Sequence, residues 1–232
     1  MPDTSLKREN KCLESSSTTR IKTDIIHKPI VPILLIVTLG IVVYSNSFRV
    51  PFQFDDWVNI CDNPMIKDLR YFTGPSSAKT FQLYDALKSR FIGYLTFALN
   101  YKMHGLDVTG YHIVNVVIHL INAVLVYWIV LLTFRTPSIE VFSNHNQKVA
   151  DLVALFSALL FVSHPIQTQA VTYIVQRFAS LATMFYLLSL AGYIRSRLST
   201  EKVNKFLFYG ISFLSTVLAM KTKETAFTLP VM

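Results

Sequence analysis

The chain has 232 residues, of which 52% are hydrophobic and only 16% are charged. A soluble domain carries about 25% charged residues, so this composition, with a mean hydropathy of +0.41, argues against a soluble domain, a disordered chain and a disulfide scaffold. The net charge of +8 does not indicate a nucleic-acid partner, because the basic residues lie between apolar segments and not in one patch. The sequence therefore predicts an all-α polytopic membrane protein.

Residues 1–28, rich in serine, threonine, lysine and arginine, are predicted to form a flexible cytoplasmic tail, and residues 29–232 the membrane region. No residue from 29 to 48 is charged, and such a helix extends about 30 Å, the thickness of the hydrocarbon core. A cleaved signal peptide is the alternative, but its apolar core would be shorter and residues 44–47 match the cleavage pattern poorly. We therefore expect a retained transmembrane helix.

Residues 48–110 are predicted to form a long loop on the opposite side of the membrane. Within it, residues 91–101 are uncharged and rich in aromatic side chains, but this segment is too short to span a bilayer. Because Arg90 and Lys102 flank the segment, we expect a helix that lies in the membrane interface.

The later apolar segments predict spans at residues 111–134, 149–163, 170–194 and 206–220, and the start of a sixth at 226. The chain ends inside this last segment, so we expect the N-terminal part of a longer protein. Basic residues of the short flanking segments place the N-terminus in the cytoplasm. This topology brings four polar segments to the non-cytoplasmic face, at residues 55–56, 164–165, 176–177 and 221–224. A single kinked helix over 149–176 would instead invert everything downstream.

An acidic pair, Asp55 and Asp56, follows the first predicted span by about seven residues. One carboxylate could accept a proton from an incoming hydroxyl, and the other could orient the acceptor or hold a divalent metal. The alternative is that the pair forms a turn or a helix N-cap. For an Asp pair taken alone, this structural role is the favoured interpretation.

A polar stripe runs along the second predicted span. His112, Asn115, His119 and Asn122 recur at spacings of three, four and three, which places them on one helix face. Such a stripe must face protein or water, and hydrogen bonding between helices is the alternative to a functional role. No spacing of these residues predicts a metal site.

Cationic residues near the predicted outer face could bind a phosphate. Arg177 lies between apolar segments, where a guanidinium needs a partner, and phosphate accepts two parallel hydrogen bonds from it. Snorkelling to the interface is the alternative for Arg177, and an interfacial charge cluster at a helix end is the alternative for the residues after the fifth span. The candidates for phosphate or substrate binding are Arg90, His164, Arg177, Lys221, Lys223 and Glu224.

From residue 44 onward the sequence resembles one family. The matching stretches are Tyr-Ser-Asn-Ser-Phe (44–48), Phe-Asp-Asp (54–56), Leu-Thr-Phe-Ala-Leu-Asn-Tyr (95–101), Gly-Tyr-His (110–112), Asn115, His119, His-Pro-Ile-Gln-Thr-Gln-Ala-Val (164–171) and Lys-Glu-Thr (223–225). In order and spacing these resemble the N-terminal membrane part of the transmembrane and tetratricopeptide-repeat-containing glycosyltransferases and their prokaryotic relatives.

The resemblance implies a GT-C fold, in which an acidic motif of the first outward loop activates the acceptor; Asp55 and Asp56 occupy that place. It also implies O-mannosylation with dolichyl-phosphate mannose as donor, and tetratricopeptide repeats downstream, which this chain does not contain. The chain departs from the family where Arg90-Phe91 replaces Arg-Pro and where residues 167–169, Gln-Thr-Gln, replace His-Thr-Glu. The second change removes a possible acid and a possible base.

The predicted function is transfer of a mannosyl or related sugar from a polyprenyl or dolichyl phosphate to protein hydroxyls on the non-cytoplasmic side. Asp55 or Asp56 would be the base, and Arg177, Lys221 and Lys223 would stabilise the leaving phosphate. No cofactor is assigned, and a divalent metal remains an open alternative. The partners are membrane lipid, the lipid-linked sugar and a protein acceptor, in a bacterial plasma membrane or the endoplasmic reticulum. A lipid-linked sugar transporter or flippase and a truncated, non-catalytic membrane protein are the alternatives.

Overall fold

The computed structural model describes residues 30–74, 79–137, 139 and 147–231. The predicted cytoplasmic tail at residues 1–28, with Cys12, lies outside the described residues. The chain divides into two units, residues 1–35 and 36–232. Of the first unit, the structure describes only residues 30–35, which form the start of the first helix.

The described residues form helices and connecting segments, with no β-strand among them, so the predicted all-α fold is confirmed. The α-helices are α1 (Ile30–Tyr44), α2 (Arg70–Thr73), α3 (Tyr84–Ser89), α4 (Phe91–His104), α5 (Val108–Phe134), α6 (Gln147–Ser163), α7 (Gln167–Thr172), α8 (Arg177–Leu198) and α9 (Lys202–Met220). Short 3-10 helices lie at Ser47–Arg49, Pro64–Lys67, Ile174–Gln176 and Glu224–Val231, and a π-helical turn at Trp57–Cys61.

Three helical segments within the described residues are long and apolar enough to cross a membrane: Val108–Phe134, Ile174–Leu198 and Lys202–Met220. The apolar helix α1 has 15 residues and ends at Tyr44, four residues before the predicted end of the first span. The segment predicted to start a sixth span is a 3-10 helix over Glu224–Val231 in this structure. These lengths and compositions indicate an association with the membrane.

The predicted span at residues 170–194 is interrupted near its start. Helix α6 ends at Ser163, just before Pro165, because proline lacks a backbone N–H and disfavours helix at the preceding residue. After the short α7, Tyr173 is extended, and the long helix α8 begins only at Arg177. Residues 164–176 are therefore an irregular connection between two apolar helices.

The apolar helices pack through small residues. Helix α5 packs against both α6 and α8, and α8 packs against α9. Helix α6 presents Ala150, Ala154, Ala158 and Val162 at a spacing of four, and all four are buried. Since small side chains let helix backbones approach closely, this row allows α6 to pack tightly in an apolar environment.

The segments between α1 and α5 pack against an aromatic cluster. The cluster buries Tyr94, Phe97 and Tyr111 together with Phe178 from the start of α8. The Phe178 ring makes edge contacts with Tyr94 and Phe97, with centroids 5.0 and 5.3 Å apart. Helix α4, which contains the predicted interfacial segment 91–101, is therefore attached to the beginning of α8.

Candidate functional site

The acidic pair lies at a sharp turn of the chain after α1. Phe54 has a φ of 45°, in the left-handed region that non-glycine residues rarely occupy, and its side chain is 82% exposed. Asp55 and Asp56 follow directly and lead into the π-helical turn at Trp57–Cys61. The turn separates the two carboxylates, because Asp55 is exposed whereas Asp56 is only 1% exposed.

The Asp56 carboxylate fastens the loop to the irregular connection before α8. Its Oδ2 accepts a hydrogen bond from the N–H of Gln53 at 2.9 Å, and its Oδ1 accepts one from the N–H of Val175 at 2.7 Å. Burial raises the pKa of Asp56, and the two backbone donors oppose part of that rise. Both oxygens are thus engaged within the protein, which suits a structural role better than proton transfer to a substrate.

The Asp55 backbone is held from both sides while its carboxylate stays accessible. Its N–H donates to the hydroxyl of Tyr173 at 3.0 Å, and its C=O accepts from the Asn59 amide at 2.8 Å. The pKa of Tyr173 is raised, first by partial burial and then by the nearby Asp55 and Asp56 charges. The phenol therefore stays protonated at neutral pH and can place a hydroxyl next to the exposed carboxylate.

Two residues of this arrangement, Asn59 and Tyr94, were not predicted from the sequence. The Tyr94 hydroxyl donates to Asn59 Oδ1 at 2.6 Å, and the Asn59 amide donates to the Asp55 carbonyl. Tyr94 is buried, and burial raises its pKa to about 12. This chain of hydrogen bonds connects α4 to the Asp55 turn. The sequence contains no local signal that a polar loop residue, Asn59, contacts an aromatic helix residue, Tyr94.

Arg177 occupies a site different from the one predicted. Its side chain is fully buried, and Nε donates to Asn115 Oδ1 at 2.7 Å. Nη2 donates to Asn100 Oδ1 at 3.0 Å and to the Tyr111 carbonyl at 2.9 Å. The guanidinium also lies 4.4 Å from the centroid of the Phe97 ring. The guanidinium does not present these donors to a phosphate, because oxygens of Asn100, Asn115 and Tyr111 already accept from them.

The polar stripe of α5 bonds to main-chain carbonyls of other segments. Nε2 of His112 bonds to the Val50 carbonyl at 2.8 Å, and Nε2 of His119 bonds to the Val162 carbonyl at 3.2 Å. The Asn115 amide donates to the carbonyls of Val171 and Ile174 at 3.2 and 3.3 Å. The Asn122 amide donates to the Ser180 carbonyl at 2.9 Å. A carbonyl can only accept, so each histidine carries its proton on Nε2.

These contacts explain how an irregular connection persists between apolar helices. The carbonyls of Val162 and Val171 lie at the ends of α6 and α7, where helices leave carbonyls without partners. The Ile174 carbonyl opens the following 3-10 turn and also accepts from the Arg177 N–H. Within a membrane such groups must be satisfied by protein. The stripe is thus hydrogen bonding between helical segments, which is the alternative that the sequence left open.

Arg90 and Glu224 form an ion pair with each other. Arg90 Nε lies 3.0 Å from Glu224 Oε1, and Nη2 lies 3.1 Å from Oε2. The guanidinium lowers the pKa of Glu224. The Ile92 N–H also donates to the Lys221 carbonyl at 3.1 Å, so the start of α4 is joined to the segment after α9. The two predicted substrate-binding residues therefore largely neutralise each other.

A cavity of about 310 Å³ lies beside this ion pair. It is lined by Tyr84, Leu87, Lys88, Phe91 and Lys221. Neither lysine ammonium forms a hydrogen bond or ion pair with the residues that the structure describes. Lys221 was predicted from the sequence as a phosphate ligand, whereas Lys88 and the aromatic walls were not. The two unpaired lysine ammonium groups can bind a phosphate. The two aromatic side chains can pack against a ring attached to that phosphate.

The other predicted residues have simpler surroundings. His164 is exposed, and its Nδ1 accepts from the N–H of Ile166 at 3.2 Å, within the turn that contains Pro165. Lys223 is half-buried after the end of α9. No group of three or more His, Cys, Asp or Glu side chains that could hold a metal ion occurs among the described residues. The structure thus joins Asp56 to Val175 and Arg90 to Glu224, whereas Arg177 bonds to Asn100, Asn115 and Tyr111, and His164 to Ile166.

Comparisons with known proteins give relatives of one kind. Over 170 residues the chain is 32% identical to "Protein O-mannosyl-transferase F38B6.6" of Caenorhabditis elegans, covering 71% of this chain and 23% of the relative. It is 32% identical over 177 residues to "Protein O-mannosyl-transferase Tmtc3" of Drosophila melanogaster (70% and 19%) and 33% identical over 199 residues to "Protein O-mannosyl-transferase TMTC1" of Homo sapiens (80% and 21%).

These matches cover most of this chain but only part of each relative. The chain spans about a fifth to a quarter of the length of these curated relatives. No protein-family model matches the chain. No solved structure matches it either.

Proposed function

Since the curated homologues of this chain are TMTC protein O-mannosyl-transferases, its resemblance to that family is confirmed, and we propose that the protein transfers a mannosyl or related sugar to protein hydroxyl groups. The donor is a sugar on a polyprenyl or dolichyl phosphate, and transfer takes place on the non-cytoplasmic side. The observation that carries the proposal is Asp55, an accessible carboxylate on a turn that is bonded to the start of a membrane-spanning helical segment.

Asp55 is the general base of the proposed reaction. Its carboxylate takes the proton from a serine or threonine hydroxyl while the hydroxyl oxygen attacks the anomeric carbon. The bond from that carbon to the phosphate oxygen breaks, and the electron pair leaves with the polyprenyl phosphate. The sugar passes through an oxocarbenium-like state, as in glycoside hydrolysis. Tyr173 places its protonated hydroxyl at the Asp55 turn and helps to orient the base.

Asp56 and Arg177 support this turn and do not contact the reacting groups. Asp56 holds the loop to Val175 through a buried hydrogen bond. Arg177 draws together α4 and α5 through Asn100 and Asn115. Since both groups are buried and fully engaged, we assign them the positioning of the site and leave proton transfer to Asp55.

Lys88 and Lys221 are proposed to bind the donor phosphate. A cation near the phosphate stabilises the charge that develops on the leaving group, and Lys223 adds a further positive charge nearby. The two lysines lie in one cavity with Tyr84 and Phe91. Glu224 does not cancel their charge, because Arg90 already neutralises it. No metal is assigned to this step.

The surface of α9 next to the cavity fits a polyprenyl chain. Leu214 and Val217 are exposed, and with Lys221 they follow at spacings of three and four, which places them on one face of the helix. This face therefore changes from apolar to cationic at the end of a helix that can cross a membrane. An isoprenoid chain on the apolar part would leave its phosphate at Lys221.

The proposed topology is multi-pass, with the N-terminus in the cytoplasm and the Asp55 turn on the opposite side. Single cysteines at positions 55, 164 and 223, in a variant without Cys12 and Cys61, test it with an impermeant thiol reagent. Labelling of all three in sealed membranes supports the topology. Labelling of position 55 alone, with the other two reacting only after permeabilisation, would contradict it.

The activity is tested with Asp55→Asn in membranes that contain the protein, a polyprenyl-phosphate mannose donor and a serine/threonine peptide. We expect at least a hundredfold loss of transfer, the lower range of a general-base contribution. Asp62→Asn is the matched control, because Asp62 is an exposed carboxylate in the same loop. Transfer at the parent rate by Asp55→Asn would refute the base assignment. Movement of the donor across the membrane, without any transfer by the parent, would favour the transporter.

A further inference from the structure

A second cavity lies where the chain leaves α1 and passes the start of α5, and the proposed reaction does not use it. Its volume is about 540 Å³, and the 3-10 turn Ser47–Arg49 packs against α5 beside it. The lining residues are Ser45, Asn46, Phe48, Arg49, Thr109 and Ile113. The Ser45 hydroxyl already donates to the Val42 carbonyl at 2.8 Å, and the Thr109 hydroxyl is bonded to the Asp107 carboxylate. The Asn46 amide and the Arg49 guanidinium remain as donors, which favours an anionic ligand that accepts hydrogen bonds.

Arg49 is the unpaired cation of this cavity. Its side chain is exposed and forms no hydrogen bond or ion pair with the part of the chain that the structure describes. Arg70 and Arg90, in contrast, each pair with a carboxylate. Asp107 is the acid next to Thr109 in the sequence, and its carboxylate accepts from the Thr109 N–H at 3.0 Å as the cap of α5. The guanidinium is therefore available for two parallel hydrogen bonds to a phosphate.

The cavity continues into an apolar strip of α5. Ile113 lines the cavity, and Val117 and Ile121 follow it at a spacing of four, so the three side chains share one helix face. They are 47%, 47% and 42% exposed on a helix that can cross a membrane. A cationic, polar end joined to an exposed apolar strip has the polarity pattern of a lipid.

We propose that this cavity binds one glycerophospholipid with a net-negative headgroup. The phosphodiester lies on Arg49 and accepts hydrogen bonds from its guanidinium and from the Asn46 amide. One acyl chain lies along Ile113, Val117 and Ile121. Arginine binds phosphate groups through parallel, charge-assisted hydrogen bonds of this kind. The inference is independent of the proposed sugar transfer, since no residue of the Asp55 turn or the lysine cavity takes part.

The test is native mass spectrometry of the purified protein released from nanodiscs of equal phosphatidylglycerol and phosphatidylcholine. We expect one retained phosphatidylglycerol per chain. Arg49→Gln should weaken retention about tenfold, since a charge-assisted hydrogen bond contributes roughly the energy of one decade in affinity. Arg49→Lys should retain part of the binding, and Lys67→Gln, which removes an exposed cation of the same loop outside the cavity, should retain all of it.

A second variant tests the cavity separately from the charge. Ile113→Trp fills the space while leaving Arg49 in place, and we expect it to lower retention as well. Equal retention of both lipids, or equal loss in Arg49→Gln and Lys67→Gln, would mean an unspecific lipid shell and overturn the proposal. Displacement of the lipid by millimolar inorganic phosphate would also overturn it, because the site would then bind phosphate without the chain. Circular dichroism of each variant excludes loss of fold as the cause.

Discussion

Replacement of Asp56 by asparagine tests whether the acidic pair is divided between a structural and a chemical role. Asp56 accepts two backbone hydrogen bonds, from Gln53 and Val175, with both carboxylate oxygens and almost no exposure. Asparagine keeps one oxygen acceptor and places an NH₂ group against the second backbone donor. One charge-assisted bond is lost, at about 1.5–3 kcal/mol, and one buried N–H is left unsatisfied, at about 1–3 kcal/mol.

The removal of a buried charge offsets part of this loss, because burial already raises the Asp56 pKa. We therefore expect Asp56→Asn to lower the free energy of unfolding by about 3 kcal/mol, the lower part of the summed range. For a domain of this size that corresponds to a fall of about 6–12 °C in the apparent melting temperature. Fluorescence-detected thermal unfolding of the detergent-solubilised protein measures it.

The matched controls are Asp55→Asn and Asp62→Asn, which replace exposed carboxylates of the same loop. Both should melt within about 2 °C of the parent, as surface substitutions do. If Asp56→Asn melts with the controls, the two hydrogen bonds do not stabilise the fold. A loss of transfer by Asp56→Asn without any loss of stability would move the chemical role from Asp55 to Asp56.

Three further predictions follow from the same geometry. Arg177→Lys should destabilise the protein by about 3 kcal/mol, because a single ammonium group cannot replace the planar guanidinium donors that reach both Asn115 and Asn100. The control Arg197→Lys, at an exposed position, should leave the melting temperature unchanged. Tyr94→Phe removes the bond to Asn59 and should lower the transfer rate more than the apparent donor affinity; an unchanged rate would contradict the positioning role. Arg90 lowers the Glu224 pKa, so the pair stabilises the folded protein at pH values above the ordinary glutamate pKa of 4.5. This contribution, at most about 1 kcal/mol for a half-exposed pair, is lost as the pH falls through the lowered pKa. If the melting temperature of Glu224→Gln shows the same acid dependence as that of the parent, the prediction is wrong.

The sequence was sufficient for two of the long helices because hydrophobic length is a local property. The uninterrupted run at 111–134 is within α5, and the run at 206–220 is within α9. The break near Pro165 was also readable, because proline acts on its own backbone. The extended residue Tyr173 was not readable, since its conformation depends on Asp56 and Asn115, which bond to Val175 and Val171 from 119 and 56 positions away.

The sequence identified charged residues of the candidate site but not which of them contact each other. Asp55 and Asp56 are adjacent in the sequence, and only the turn at Phe54 shows that one is exposed and the other buried. Arg90 and Glu224 were both assigned to substrate, but the chain brings them together across 134 residues. A charge in a sequence predicts that a partner is needed; whether that partner is substrate or protein depends on tertiary packing, and a single sequence does not encode it locally.

The irregular connection at residues 164–176 is the feature that links membrane packing to the Asp55 turn. A regular helix would satisfy its own backbone and leave no N–H at Val175 for Asp56 to bind. Because the helix is interrupted, Val175 donates to the loop while the carbonyls of Val171 and Ile174 accept from Asn115. Non-helical backbone between apolar helices persists only when protein groups satisfy it. The polar stripe and the Asp55 turn are therefore one structural unit, and Asn115→Leu should release this turn although Asn115 is distant from it in the sequence.

The Asn115→Leu prediction can be separated from a general loss of stability. Leucine has a similar volume but leaves the Val171 carbonyl and the Arg177 Nε without this partner, and the Ile174 carbonyl with the Arg177 N–H alone. We expect protease cleavage near residue 55 to accelerate at temperatures well below the melting transition, because the loop loses its anchor at Val175 before the helices unfold. Asn204→Leu, at the start of α9, is the control for an asparagine outside the connection. Cleavage that accelerates only together with global unfolding would show that the stripe stabilises the helices alone and that the turn is held independently of it.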